Sequence, residues 1–184
     1  MRYALPLVFS FLACAGAAEA PAPATPATAA PSTEAPAVAS PASGTFPSPY
    51  TAEQLRDASK PGRTWTWRVE SLGKPTVESS ASFGALDAEG VELVSDATTK
   101  RITWEELRRH AEFPRDAVIT REETVTLPAG TYDCIVYVVT DPTAREITSY
   151  YFAKDLPGAP VYFYSEKGGT RVLTSTLIKY DAGR

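Results

Sequence analysis

From Trp65 onward, apolar and polar residues alternate in short runs separated by turn residues, which is the signature of antiparallel strands. Trp65, Trp67 and Val69 alternate with Thr64, Thr66, Arg68 and Glu70. A Leu72-Gly73-Lys74-Pro75 turn leads to a weaker strand over Thr76–Leu86, Asp87-Ala88-Glu89-Gly90 makes a hairpin loop, and Val91–Ser95 returns. Further on, the pattern predicts strands over Val118–Leu127, Thr131–Thr140, Glu146–Lys154, Pro160–Glu166 and Arg171–Tyr180. Pro128-Ala129-Gly130, Asp141-Pro142-Thr143-Ala144, Leu156-Pro157-Gly158 and Lys167-Gly168-Gly169 turn the chain between them.

Two helices carry their own start signals. Thr51-Ala52-Glu53-Gln54 and Thr103-Trp104-Glu105-Glu106 are capping boxes, in which the threonine hydroxyl accepts an amide that the fourth side chain answers. Tyr50 with Leu55, and Ile102 with Leu107, occupy the flanking hydrophobic-staple positions. The first helix is expected over Ala52–Ser59, stopped by Pro61-Gly62; Phe113-Pro114 ends the second. Glu105 and Glu106 open that helix and Arg108, Arg109 and His110 close it, the order its dipole favours.

These elements predict a mainly β (α+β) fold: a curved antiparallel meander of about eight strands, an open half-barrel with two short helices. The runs Tyr150-Tyr151-Phe152 and Tyr162-Phe163-Tyr164 are apolar on both faces, so part of the second face must be covered. The Trp104 helix, packed on the concave face, is the element expected to cover it.

Upstream the pattern disappears. Arg2 precedes an apolar run from Ala4 to Ala13, too short for a bilayer and long enough for a signal peptide, which predicts export. Two cleavage readings stand. Phe11-Leu12-Ala13-Cys14 is a degenerate lipobox that makes Cys14 a lipidation site, acylated with diacylglycerol and palmitate. Otherwise a general signal peptidase cuts after Ala15-Gly16-Ala17 and removes Cys14. Residues 18–49 are almost wholly Ala, Pro, Thr and Ser and hold half of the prolines, which predicts a disordered tether. The expected order is a signal peptide over 1–17, the tether over 18–49 and one β-rich domain over 50–181. The product is expected in the cell envelope, lipid-anchored at the periplasmic face or outer membrane, or periplasmic or secreted if Cys14 is lost.

Charge and chemistry narrow the function by exclusion. The formal net charge of -4 and the scattered basic residues argue against a nucleic-acid partner. His110 is the only histidine, so no two-histidine zinc site or HExxH motif exists, and no metal or cofactor is expected. Cys134 lies among Tyr132, Ile135 and Val136 in a strand, where a thiol behaves as a small hydrophobe. Ser71-Leu72-Gly73-Lys74 matches S-x-x-K, but Gly73 and Pro75 make it a turn rather than the helical turn that chemistry requires. Glu105-Glu106 and Glu122-Glu123 are explained by a helix dipole and a strand face. No catalytic residue is assigned, and an enzyme is not expected.

Thr126-Leu127-Pro128-Ala129-Gly130-Thr131-Tyr132-Asp133-Cys134 resembles a V-P-A-G-T-F-x-C/A hairpin of bacterial envelope proteins. Tyr151-Phe152-Ala153-Lys154-Asp155-Leu156-Pro157-Gly158-Ala159-Pro160-Val161 resembles the hairpin that follows it in those proteins. With Thr103-Trp104-Glu105-Glu106-Leu107, the resemblance spans most of the domain, and it extends distantly to the open β-barrels of LolA- and LppX-type lipoprotein carriers. It implies a fold and no catalytic residue. Two function classes follow. The first is a non-catalytic module that binds an envelope protein or cell-wall component. The alternative is a carrier of a lipid or other apolar ligand, lined by Trp65, Trp67, Trp104, Tyr132, Tyr150, Phe152, Tyr162 and Tyr164; a hydrolase is a distant third.

Overall fold

The computed structural model describes residues 44–95 and 98–184. The signal segment, Cys14 and the tether up to residue 43 lie outside the described residues. Both capping boxes form. Thr51 Oγ1 accepts the Gln54 amide at 3.2 Å and Gln54 returns the bond to the Thr51 amide at 2.8 Å. This starts helix α1, Ala52–Asp57. Thr103 and Glu106 exchange the same pair of bonds at 3.1 and 2.9 Å and start α2, Trp104–Arg109. Tyr50, Leu55 and Ile102 are buried, and Leu107 is half-buried against the same core.

Among the described residues there are eleven strands, every pairing antiparallel. They are β1 (Thr45–Phe46), β2 (Thr64–Ser71), β3 (Val77–Leu86), β4 (Gly90–Ser95), β5 (Thr98–Thr103), β6 (Phe113–Pro114), β7 (Val118–Leu127), β8 (Gly130–Asp141), β9 (Glu146–Ala153), β10 (Tyr162–Lys167) and β11 (Thr170–Asp181). β1 and β6 form a two-stranded ribbon. The other nine form one open sheet in the order β5-β4-β3-β2-β11-β10-β9-β8-β7. The predicted hairpins recur to within a residue or two.

Three features depart from a simple meander. The last strand, β11, returns to pair with β2, so the sheet is two meanders joined at its middle. Strand β5 was not expected, because Thr98-Thr99-Lys100-Arg101 is polar; it forms as the outer partner of the apolar β4. Strand β1 lies ahead of Tyr50, within the stretch expected to be tether. Phe46 pairs with Phe113 and sets its ring edge-on to Tyr137 at 5.3 Å.

The main core lies on the sheet face that carries Trp65, Phe83, Tyr137 and Phe152. Residues opposite each other in an antiparallel pair share a face, and the registers of β2, β11, β10, β9 and β8 place Trp67, Leu177, Tyr150 and Tyr137 together. The two helices pack on each other here. Trp104 meets Phe83 edge-on at 6.2 Å and donates its indole N–H to Asp87 O at 2.9 Å. Tyr50 meets Phe152 at 6.1 Å, and its hydroxyl donates to Ala153 O at 2.6 Å, which fastens the start of the domain to β9.

Arg63 is also part of this core, 1% exposed just before β2. Its guanidinium lies over the Trp65 ring at 4.6 Å and the Tyr180 ring at 5.5 Å. Nε donates to Tyr180 Oη at 3.0 Å and Nη1 to Ala58 O at 3.2 Å. Burial pulls its pKa below the ordinary arginine value, partly offset by Tyr180. Aromatic faces and a carbonyl thus hold this charge where an ion pair would be expected.

Candidate functional site

The eight aromatic residues expected to line one apolar groove do not come together as one surface. Trp65, Trp104 and Phe152 are buried core residues, 2–4% exposed. Trp67 and Tyr150 lie half-buried on the same face, with the Trp67 indole donating to Pro160 O at 3.2 Å. Tyr132 bonds back to the hairpin turn at Ala129 O, 3.1 Å away. Tyr162 and Tyr164 project from the opposite face. The physical reason is parity. Tyr162 pairs with Tyr151 and Phe163 with Tyr150, so each aromatic run sends its middle residue to one side and its outer residues to the other.

On that opposite face Tyr151, Tyr162 and Tyr164 meet one another. Their ring centroids are 5.0, 5.7 and 6.3 Å apart at tilted or edge-on angles. Two arginines complete the cluster. The Arg171 guanidinium lies 3.6 Å over the Tyr164 ring while its nitrogens donate to Tyr162 Oη at 3.3 Å and Glu166 at 3.2 Å. Arg121, on β7, reaches past β8 to donate to Tyr151 Oη at 3.2 Å and also bonds Glu123 at 3.1 Å. Strand β7 also approaches β11. Tyr151 is 4% exposed, whereas Tyr162 and Tyr164 remain half-exposed. Burial, then Glu123, pushes the Tyr151 hydroxyl up to about 12, and burial also raises Tyr162.

The second face of the aromatic strands is therefore covered by its own tyrosines and by arginine side chains. The Trp104 helix packs on the other face. Tyr151, Arg121 and Arg171 are the functional candidates missed in the sequence. Their signal was the position of Tyr151 between two aromatic neighbours of opposite parity, combined with a cross-strand register that no local motif specifies.

The residues considered for chemistry sit apart. His110 caps the end of α2, its pKa lowered by burial and then by Lys100. Cys134 is 1% exposed, with Sγ 3.6 Å from Tyr132 O. Burial, then Asp133, pushes its thiol up to about 11. The groups that perturb the histidine and the thiol do not overlap. Glu105 is paired with Arg108, Glu106 caps α2, and Glu122 pairs with Lys154 at 2.7 Å. Among the described residues no group of three His, Cys, Asp or Glu side chains is placed to hold a metal ion. Two surface depressions, of 160 and 350 Å³, are lined by residues of strand ends and hairpin tips, Thr64 and Lys179 in the first and Arg145, Ile147 and Glu166 in the second, and by none of the aromatic set.

No family model matches the chain, and no curated protein matches it. Among solved structures, it is similar to a Bacteroides fragilis protein whose name gives it as exported and of YmcC-like fold. The identity is 9%, the match covers 67% of this chain and 97% of that one, and the TM-score is 0.39. Nothing about fold or function is drawn from so distant a likeness.

Proposed function

We propose that this chain is an exported, non-catalytic binding module, lipid-anchored through Cys14, whose Tyr151/Tyr162/Tyr164 face docks a protein partner in the cell envelope. The observation that carries the docking surface is the stacking of Arg171 on Tyr164 beside two further tyrosines on a sheet face that neither helix covers. Tyrosine and arginine dominate the energetic centres of protein interfaces, because they offer large rigid contact areas with a polar tip. The charges here are already matched, Arg121 with Glu123 and Arg171 with Glu166, so a partner need not supply counter-ions. Matched charge with tilted, mutually packed rings suits a protein surface better than a phosphate or a flat apolar ligand. An open antiparallel sheet also fits a distant relation to the LolA and LppX carriers. The binding-module reading leads because Trp65, Trp104 and Phe152 are buried in the core and packed against other side chains, which leaves Tyr162 and Tyr164 as the half-exposed aromatic surface of the opposite face.

The test is site-specific photocross-linking in the native cell. A photoreactive phenylalanine at Tyr164 is expected to give a discrete protein adduct. The same probe at Thr99, on the far edge of the sheet, gives none, and Arg171→Ala weakens the adduct at Tyr164. Equal adducts at both positions, or none at either, would refute the docking face. The anchor is tested separately: Cys14→Ala should abolish palmitate labelling, and persistent label would reject it.

A further inference from the structure

We infer that β7 is a self-complementary edge through which two copies of this chain pair, continuing the sheet across a two-fold axis at Glu122. β7 is the outermost strand of the nine-stranded sheet and is ten residues long. Ile119 is 71% exposed, and Thr120 to Thr124 are exposed on both faces. Leu127 pairs with Gly130 across a two-residue turn. A pair flanking such a turn exchanges its hydrogen bonds, so by alternation the even-numbered amides, those of Thr120, Glu122 and Thr124, face the open side.

A second β7 laid antiparallel against those amides, with Glu122 opposite Glu122, fixes every other pair. Thr120 faces Thr124, Arg121 faces Glu123, and Ile119 faces Val125, each twice. Both Arg–Glu pairs and both apolar pairs then lie on the face that carries Tyr151, and the threonines lie on the other. Opposite charges and β-branched pairs directly across a ladder are the stabilising ones. The one like-charge meeting, Glu122 with its copy, is flanked by the two Lys154 ammonium groups that already pair with those carboxylates.

The other edge of the sheet shows the contrast. β5 carries Lys100 and Arg101 side by side, so its own antiparallel pairings set cation against cation, the usual guard on a free edge. An exposed long edge whose charges are of both signs, so that Arg121 meets Glu123 in an antiparallel copy, points instead to an interface. Such pairing does not require the docking face proposed above, although Arg121 belongs to both and pairing would set two copies of that face side by side.

The mass of the purified chain, as the cell processes it, should be measured by light scattering and sedimentation. A dimer is expected at concentrations up to roughly 100 µM; a monomer throughout overturns the inference. Arg121→Glu sets like charges opposite each other and should weaken association by at least about ten-fold. The exchange Arg121→Glu with Glu123→Arg should restore it. A dimer indifferent to the single reversal would mean another interface. Because reversal can also disturb the Tyr151 contact, a crosslink provides the second readout. Cysteine at Glu122 meets its own copy at a separation that a disulfide spans, and cysteine at Ile119 does not. Oxidation should therefore yield crosslinked dimer from Glu122→Cys alone; equal yields from both variants, or none from Glu122→Cys, overturn the register.

Discussion

Replacing Tyr50 by phenylalanine and then by alanine separates the two ways in which the start of the domain is held. The ring is 6% exposed and packs edge-on against Phe152, and the hydroxyl donates to Ala153 O at 2.6 Å. Tyr50→Phe removes one buried hydrogen bond. Ala153 O would not be orphaned, because it also accepts the Leu156 amide at 3.2 Å. The loss is therefore a net hydrogen-bond contribution, about 1 kcal/mol, and not the larger penalty of an unpaired carbonyl. Tyr50→Ala also removes the ring and its staple contact with Leu55, at a cost of about 3–5 kcal/mol. In a domain of this size these losses correspond to a Tm lower by roughly 3 °C and roughly 10–15 °C. Urea unfolding followed by the fluorescence of the buried tryptophans measures both, with an unchanged m-value expected. Burial raises the Tyr50 hydroxyl far above its ordinary value of 10.0. Its contribution is thus complete below pH 10 and is lost as pH climbs beyond it, so Tyr50→Phe should also flatten the alkaline fall in stability. A phenylalanine variant costing more than the alanine variant's excess over it, or an alanine variant within about 1 kcal/mol of wild type, would show that this segment is not docked as described.

Three further predictions follow from single residues. Native Cys134 should resist aromatic disulfide reagents near pH 8 and react fully once unfolded. With its thiol raised from 9.0 to about 11, it adds stability that is present below pH 9 and lost between there and about 11, visible as a shallower fall for Cys134→Ala. Gly90→Ala puts a Cβ into the Ile102 carbonyl across the β4–β5 pair, where only backbone movement relieves it; a loss of at least about 2 kcal/mol is expected in the same urea assay. Thr103→Ala opens the capping box of a six-residue helix and should cost about 1 kcal/mol, while Thr103→Ser should cost little.

What was legible in the sequence was local. Each of the hairpins from β7 to β11 is announced by its own turn residues, and both helices by threonines whose bonds close within four positions. The pairing of β2 with β11 was invisible, because about a hundred residues separate the partners and no turn joins them. Strand β5 was missed since its residues are polar; its apolar partner β4 makes it a strand. Arg63 follows the Pro61-Gly62 stop of α1, and nothing local predicts that Trp65 and Tyr180 will close over it. The candidate site was half legible. Tyr162 and Tyr164 were named, but Tyr151, Arg121 and Arg171 join them only through cross-strand register and the reach of Arg121 past β8.

The same long-range pairing explains why the sheet stays open, and why it has surfaces to offer. With β2 and β11 at the centre, the two edges are β5 and β7, and the chain passes from one to the other through α2, β6 and a single 3-10 turn at Arg115–Ala117. Closing the barrel would require β5 and β7 to meet. Instead, the segment between them places Trp104 and Phe113 on the core face, and the start of the domain adds Phe46, Tyr50 and Leu55 beside them. These large side chains take up the volume that closure would need, so one face is filled and both edges stay free. The aromatic residues of the opposite parity then have no partner layer, and they are satisfied by one another and by Arg121 and Arg171. Core filling on one side thus leaves both the tyrosine–arginine face and the β7 edge accessible, and any substitution that let the core face collapse would alter both surfaces together.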